Sequence, residues 1–169
     1  MKQFILFSVL CAMLFSCSGS KKQEIVTNFE LDELLKVAET KVDSTITVKG
    51  YVTHVCVHSG QRCFIVGESQ NISIRIEAGE KIGTFDRELV GAKIAVNGVL
   101  KERRLSQEYI DNYEKEVKLK EKEEDGSAAT CAAELSNIND MRKWMQENKK
   151  DYFVIYYMDG LSYEKLEIK

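Results

Sequence analysis

Between Thr45 and Val57 the chain alternates apolar and polar residues, and the alternation changes phase partway along. Ile46, Val48 and Val52 share one parity, with Thr45, Thr47, Lys49 and Tyr51 between them, whereas Val55 and Val57 take the other. Side chains two apart in a strand lie on one face, so the pattern describes a long half-buried strand. The phase change demands a bulge or sharp bend, which falls between Gly50 and His54. Curvature built into a strand in this way is a device of small closed barrels rather than of flat sheets.

The remaining elements follow from periodicity and punctuation. Leu31, Leu34, Leu35 and Ala38 predict a helix over Phe29 to Val42, with Asn28 as its cap. Phe64-Ile65-Val66 is a second strand. Asn71 to Glu77 is a third, with Ile72, Ile74 and Ile76 on one face. A break from Gly79 to Gly91 holds a short helical turn at Phe85 to Leu89, and Ala92 to Leu100 is a fourth strand. Ser106 to Glu124 is a charged helix that should pack its tyrosines on the barrel. Cys131 to Asn148 is another helix, with Leu135, Ile138, Met141, Trp144 and Met145 on one stripe. Tyr152 to Met158 is a last strong strand, and Asp159-Gly160 predicts a hairpin into Leu161 to Ile168. The chain has no proline, so its turns fall to Gly, Asn, Asp and Ser.

Four strands with a short helix between the third and fourth, then a return strand, resemble the OB-fold. Val48-Lys49-Gly50-Tyr51-Val52 and the run Val90 to Leu100 look like its strand 1 and strand 4 patterns. More narrowly, the chain is similar to a family of periplasmic OB-fold lipoproteins. In that family a Val-Cys pair and a nearby Cys-aromatic step occupy the first hairpin. The matching residues are His54-Val55-Cys56 and Arg62-Cys63-Phe64. The resemblance covers Leu31 to Leu100. It implies a mainly β domain with added helices: a five-stranded barrel, an N-terminal helix, and a helical insertion at about 106–148 before the final strands.

His54, Cys56, His58 and Cys63 hold both histidines of the chain and two of its five cysteines. If Val55 and Val57 face the barrel, the first three project outward together. A four-residue loop, Ser59 to Arg62, would set His58 opposite Cys63. The set of two imidazoles and two thiolates is then one that zinc or Cu(I) accepts. A two-residue loop, Ser59-Gly60, would set Cys56 opposite Cys63 and favour a disulfide in an oxidising compartment. Both alternatives stand on the sequence, as do unlinked thiols, and Cys131 is left over either way. Cys56 and His58 also resemble a nucleophilic pair, but no orienting Asn or Asp is placed to complete it, so no enzyme is expected.

The address is read from the first residues. Met1-Lys2 is a basic start, Phe4 to Phe15 is apolar apart from Ser8, and Leu14-Phe15-Ser16-Cys17 resembles a lipobox. That resemblance implies a signal peptide over residues 1–16, a lipidated Cys17 and a polar tether over 17–27. The single domain then occupies 28–169, which is enough chain for one core. Ser18 stands where an aspartate would hold a lipoprotein at the inner membrane. The implied location is therefore the outer membrane, facing the periplasm, with the lipid anchor as membrane partner.

Without Lys2, 23 basic residues face 27 acidic ones, a net charge of −4 that offers no general attraction to nucleic acid. An OB-type ligand face needs rings and cations on its second and third strands, and Arg62, Phe64 and Arg75 are the candidates. Three roles are expected of such a module. The first is metal or redox-linked binding at the hairpin. The second is binding of an oligonucleotide or another oligomeric ligand on the barrel face, nucleic acid being the less favoured ligand. The third is a scaffold for an envelope protein partner.

Overall fold

The computed structural model describes residues 27–122 and 128–167. The stretches read as leader, lipobox with Cys17 and tether lie outside the described residues, except Thr27, which opens the first strand. The elements in order are β1 (Thr27–Glu30), α1 (Leu31–Val37), a 3-10 turn (Ala38–Lys41), β2 (Thr45–Val55), β3 (Arg62–Val66) and β4 (Ser73–Ala78). A 3-10 turn (Arg87–Leu89), β5 (Lys93–Ser106), α2 (Gln107–Lys120), α3 (Ala128–Asn148) and β6 (Tyr152–Lys165) follow. Among the described residues no helix is long and apolar enough to cross a membrane.

Five strands close into a barrel in the order β2-β3-β4-β6-β5, and β5 returns to β2. All neighbours are antiparallel except β4 and β6, which run parallel. This is an OB-like closed barrel with helices placed before the final strand.

The length of β2 makes the closure work. One edge pairs with β5 over Thr45 to Tyr51. The other edge is shared, its first half pairing parallel with β1 and its second half antiparallel with β3. The register slips between Val52 and His54, where the phase change in the sequence required it. The bulge lets Ile46, Val48, Val52 and Val55 all reach the same interior.

Two cores result. The first fills the barrel with Ile46, Val48, Cys63, Ile65, Ile74, Ile76, Ile94, Val96, Leu100 and Met158, and it is plugged by Leu31 and Leu34 of α1 and Ala38 of the following 3-10 turn. The second lies under the α2–α3 hairpin, where Leu105, Ile110, Val117, Cys131, Ile138 and Met145 pack beside Tyr113, Trp144 and Phe153. β5 and β6 overrun the barrel and carry this hairpin, which Arg142 ties together at 2.6 Å from both Asp111 and Glu114.

Several local expectations are corrected. Asp159-Gly160 makes no hairpin, because β6 continues through it to Lys165 while staying paired to the equally long β5. An Asp-Gly pair favours a tight turn locally, but a continuous partner strand offers more hydrogen bonds than a turn would. The pair instead lies opposite Val99 and Gly98, with the register slip just beyond it between Gly98 and Asn97. Asn28 does not cap α1, since it is paired in β1, and Glu30 precedes the helix without a side-chain cap bond. The tyrosines of α2 do not pack on the barrel. Tyr113 joins the second core, and Tyr109 lies exposed with the Arg103 guanidinium 5.6 Å from its ring centre. Ile72 falls outside the ladder and is 44% exposed, although Ile74 and Ile76 are buried as their spacing predicted.

Candidate functional site

The β2–β3 connection decides the fate of the His-Cys cluster. Val55 pairs with Cys63 and His54 with Phe64, so the strands are joined by the six residues Cys56 to Gln61. This register is neither of the two that the sequence allowed. The bulge shifts Cys63 onto the parity of Val55, and both are buried in the barrel. His54 and His58 are exposed, and Cys56 is half-buried at the start of the turn. The premise that four side chains share one outer face is therefore corrected.

Among the described residues no three His, Cys, Asp or Glu side chains converge as a metal site would require. The donor set His54, Cys56, His58 and Cys63 does not fit zinc or Cu(I), because one thiol lies behind the barrel wall. Cys56, Cys63 and Cys131 are free, and Cys63 and Cys131 belong to separate cores.

The turn itself is firmly held. Gly60 adopts a φ of +65°, open to glycine without strain, and its N–H donates to the Cys56 carbonyl at 2.9 Å. Phe85 N–H donates to Gly60 O at 2.8 Å, Ala78 N–H to Gln61 O at 2.8 Å, and Arg87 donates to Val57 O.

These contacts give the two strand thiols opposite character. The Ser59 N–H and hydroxyl, the His58 N–H and the nearby Arg62 charge lower the Cys56 thiol to about 7. Burial pushes Cys63 up to about 12. Alkylation by iodoacetamide at pH 7.5 should therefore modify Cys56 first, with a rate that follows a single ionisation near 7. Cys63 should react only on unfolding. Ionisation of Cys56 also favours the folded state, because the thiol ionises at a lower pH there than in the unfolded chain. Its contribution is complete above about pH 9 and lost as the pH falls through 7.

The barrel exterior brings a different set together. Cys63, Ile65, Ile74 and Ile76 face inward, so Arg62, Phe64, Arg75 and Glu77 face outward. Register then lines up His54 on β2, Phe64 on β3, Arg75 on β4, Tyr157 on β6 and Lys101 on β5 as successive cross-strand neighbours. The His54 and Phe64 rings lie 5.9 Å apart and tilted by 53°. The Arg75 guanidinium stands 5.3 Å from the centre of the Tyr157 ring.

Glu77 lies between the two arginines, 2.8 Å from Arg75 Nε and 3.7 Å from Arg62 Nε. The Arg75 Nε–H is not aimed at that carboxylate and makes no hydrogen bond. The three candidates Arg62, Phe64 and Arg75 are thus adjacent, as an OB-type ligand face requires. Lys101 is held by Asp43 at 2.7 Å at the far end of the row.

Sequence reasoning did not place Tyr157 on this face. Only the parallel pairing of Arg75 with Tyr157, across 82 positions, puts it there. A run of Tyr, Phe, Val and Ile carries no mark of which strand will be its neighbour. Lys93, another cation of the fourth predicted strand, lies elsewhere and is engaged by Glu68 at 2.9 Å and Glu30 at 3.2 Å.

No protein-family model matches the chain, and no curated protein matches it. Among solved structures it is similar to a putative aspartyl-tRNA synthetase from Leishmania major Friedlin. That match has a TM-score of 0.42 and 9% identity, covering 89% of this chain and 22% of that one. It is also similar to a DUF3299 family protein from Pseudomonas aeruginosa PAO1, with a TM-score of 0.37 and 10% identity, over 77% of this chain and 66% of that one.

Proposed function

We propose that this chain is a lipid-anchored periplasmic binding module whose ligand face is the outer surface of β3 and β4. The observation that carries the reading is the row His54, Phe64, Arg75 and Tyr157, which alternates rings and a cation across four neighbouring strands. Rings accept flat or apolar ligand faces, and the two guanidiniums accept anionic groups. Glu77 offsets one of the two positive charges, so the face suits an oligomer that brings rings to stack as well as anionic groups. An oligonucleotide or an acidic oligosaccharide has this alternation of rings and single charges. The lipobox-like Leu14-Phe15-Ser16-Cys17 supports the anchor and the compartment.

Fluorescence anisotropy with a labelled deoxythymidine dodecamer and a labelled uronic-acid oligosaccharide tests the face. Each should bind more weakly as salt rises from 50 to 200 mM, as ionic contacts do. Phe64→Ala should weaken binding roughly tenfold through loss of one stacking platform. Arg75→Ala should do so by a similar factor and flatten the salt dependence. Unchanged binding in both variants, or no binding of either ligand, would sink the reading. Loss of palmitate incorporation in Cys17→Ala tests the anchor separately.

A further inference from the structure

The barrel core and the hairpin core meet without merging. Lys150 of the hairpin side bridges the seam to Glu39 beside α1 at 2.7 Å. Next to that bridge the seam opens into a cleft of about 420 Å³, within the range of small-molecule sites. Its walls include Leu35 of the plug, Ile72 before β4, Trp144 of α3, and Phe153 and Tyr156 of β6. Here the exposure of Ile72 gains a meaning: it stands at the mouth of an apolar cleft instead of joining Ile74 and Ile76 inside the barrel.

We propose that this cleft binds a free linear acyl carboxylate, with its chain along Trp144 and Ile72 and its head group at Lys36. Charge decides the head group. Glu39 is committed to Lys150, whose ammonium is also flanked by the rings of Trp144 and Tyr152 at 5.9 and 5.5 Å. Lys36 lines the same cleft and makes no ion pair among the described residues. The carboxylate one turn away on its own helix, Asp32, accepts from the Ser69 hydroxyl at 2.6 Å and the Ser69 N–H at 3.1 Å. The charged groups lining the cleft, Lys36, Glu39 and Lys150, sum to one positive charge. Asp32 keeps its own charge but lies outside the lining and is turned to Ser69, so the cleft complements a monoanion rather than a cation.

Ring geometry decides the body. Trp144 and Phe153 meet edge to face at 81° with centres 5.3 Å apart, so they leave no parallel slot for a flat base. With Leu35, Ile72 and Val154 they form an uneven aliphatic and aromatic wall, to which a flexible chain adapts. Burial of each methylene strengthens binding by a factor of about four, so a medium-length chain suffices for binding.

Trp144 is the only tryptophan of the chain, so its emission reports on this cleft and not on the β3–β4 face. Titration with dodecanoate below its micelle concentration should change that emission saturably. Dodecyl maltoside and dodecyltrimethylammonium should each bind at least roughly tenfold more weakly, the scale of one charge-assisted contact. Lys36→Glu should weaken dodecanoate by a similar factor, and Ile72→Asp should abolish its binding. Both positions are solvent-exposed, so the fold should persist, which far-ultraviolet circular dichroism checks. Phe64→Ala should leave this titration unchanged, which separates it from the ligand face on β3 and β4. An unsaturable response, equal response to all three head groups, or wild-type binding by Lys36→Glu would overturn the proposal.

Discussion

Gly98→Val is expected to lower stability by about 3 kcal/mol, seen as a thermal midpoint lower by roughly 10 °C. A β-carbon at Gly98 would lie 2.6 Å from the Asp159 carbonyl oxygen and 3.1 Å from the Gly160 α-carbon. Both are backbone, so no side chain can swing away to make room. This is the point where β5 and β6 slip register, and their closest approach sets the curvature of the closed sheet. Gly83→Ala is the control. Gly83 has a φ of +65° but open space around its α-carbon, so only its conformational cost of roughly 1 kcal/mol should appear. Equal losses in the two variants would show that close strand packing at Gly98 does not hold the barrel.

Cys63→Ser should cost about 2 kcal/mol, while Cys56→Ser should leave the denaturation midpoint near that of the parent chain. Cys63 is fully buried among aliphatic side chains of the barrel, where a serine hydroxyl would find no partner. Cys56 sits in a solvent-facing turn whose hydrogen bonds a hydroxyl also accepts. Urea unfolding under reducing conditions at pH 6, where the Cys56 thiol is protonated and its ionisation contributes nothing, measures both. If the two thiols formed one surface site, the substitutions would have matching effects, so parity of the two midpoints would refute the register Val55–Cys63.

The sequence made the barrel legible because its evidence is local. The phase change in β2 is visible as a shift in alternation, and the structure places a register slip there. The buried faces of β4 and β5 follow the same rule through Ile74, Ile76, Ile94 and Val96. The His-Cys cluster was misread for a related reason. Counting parity along one strand says which residues alternate, but a bulge resets that parity. Whether it lands before or after His54 depends on how β3 docks. One residue of slip moves Cys63 from the surface to the interior. The hairpin expected at Asp159-Gly160 failed likewise, because a local turn preference yielded to the long partner β5.

Residue types and their spacing thus determined the closed OB-like barrel and singled out Arg62, Phe64 and Arg75 for the candidate face, but showed neither the short strand β1 nor the unbroken β6. Those follow from near-neighbour periodicity, which every residue carries in its own chemistry. Only the tertiary structure decided that Cys63 is core, that Tyr157 completes the row beside Arg75, and that two cores meet at a cleft beside Trp144. Each of these depends on pairing between segments far apart in the chain. Such pairing is selected by the summed packing of the whole barrel, which no short stretch of sequence expresses.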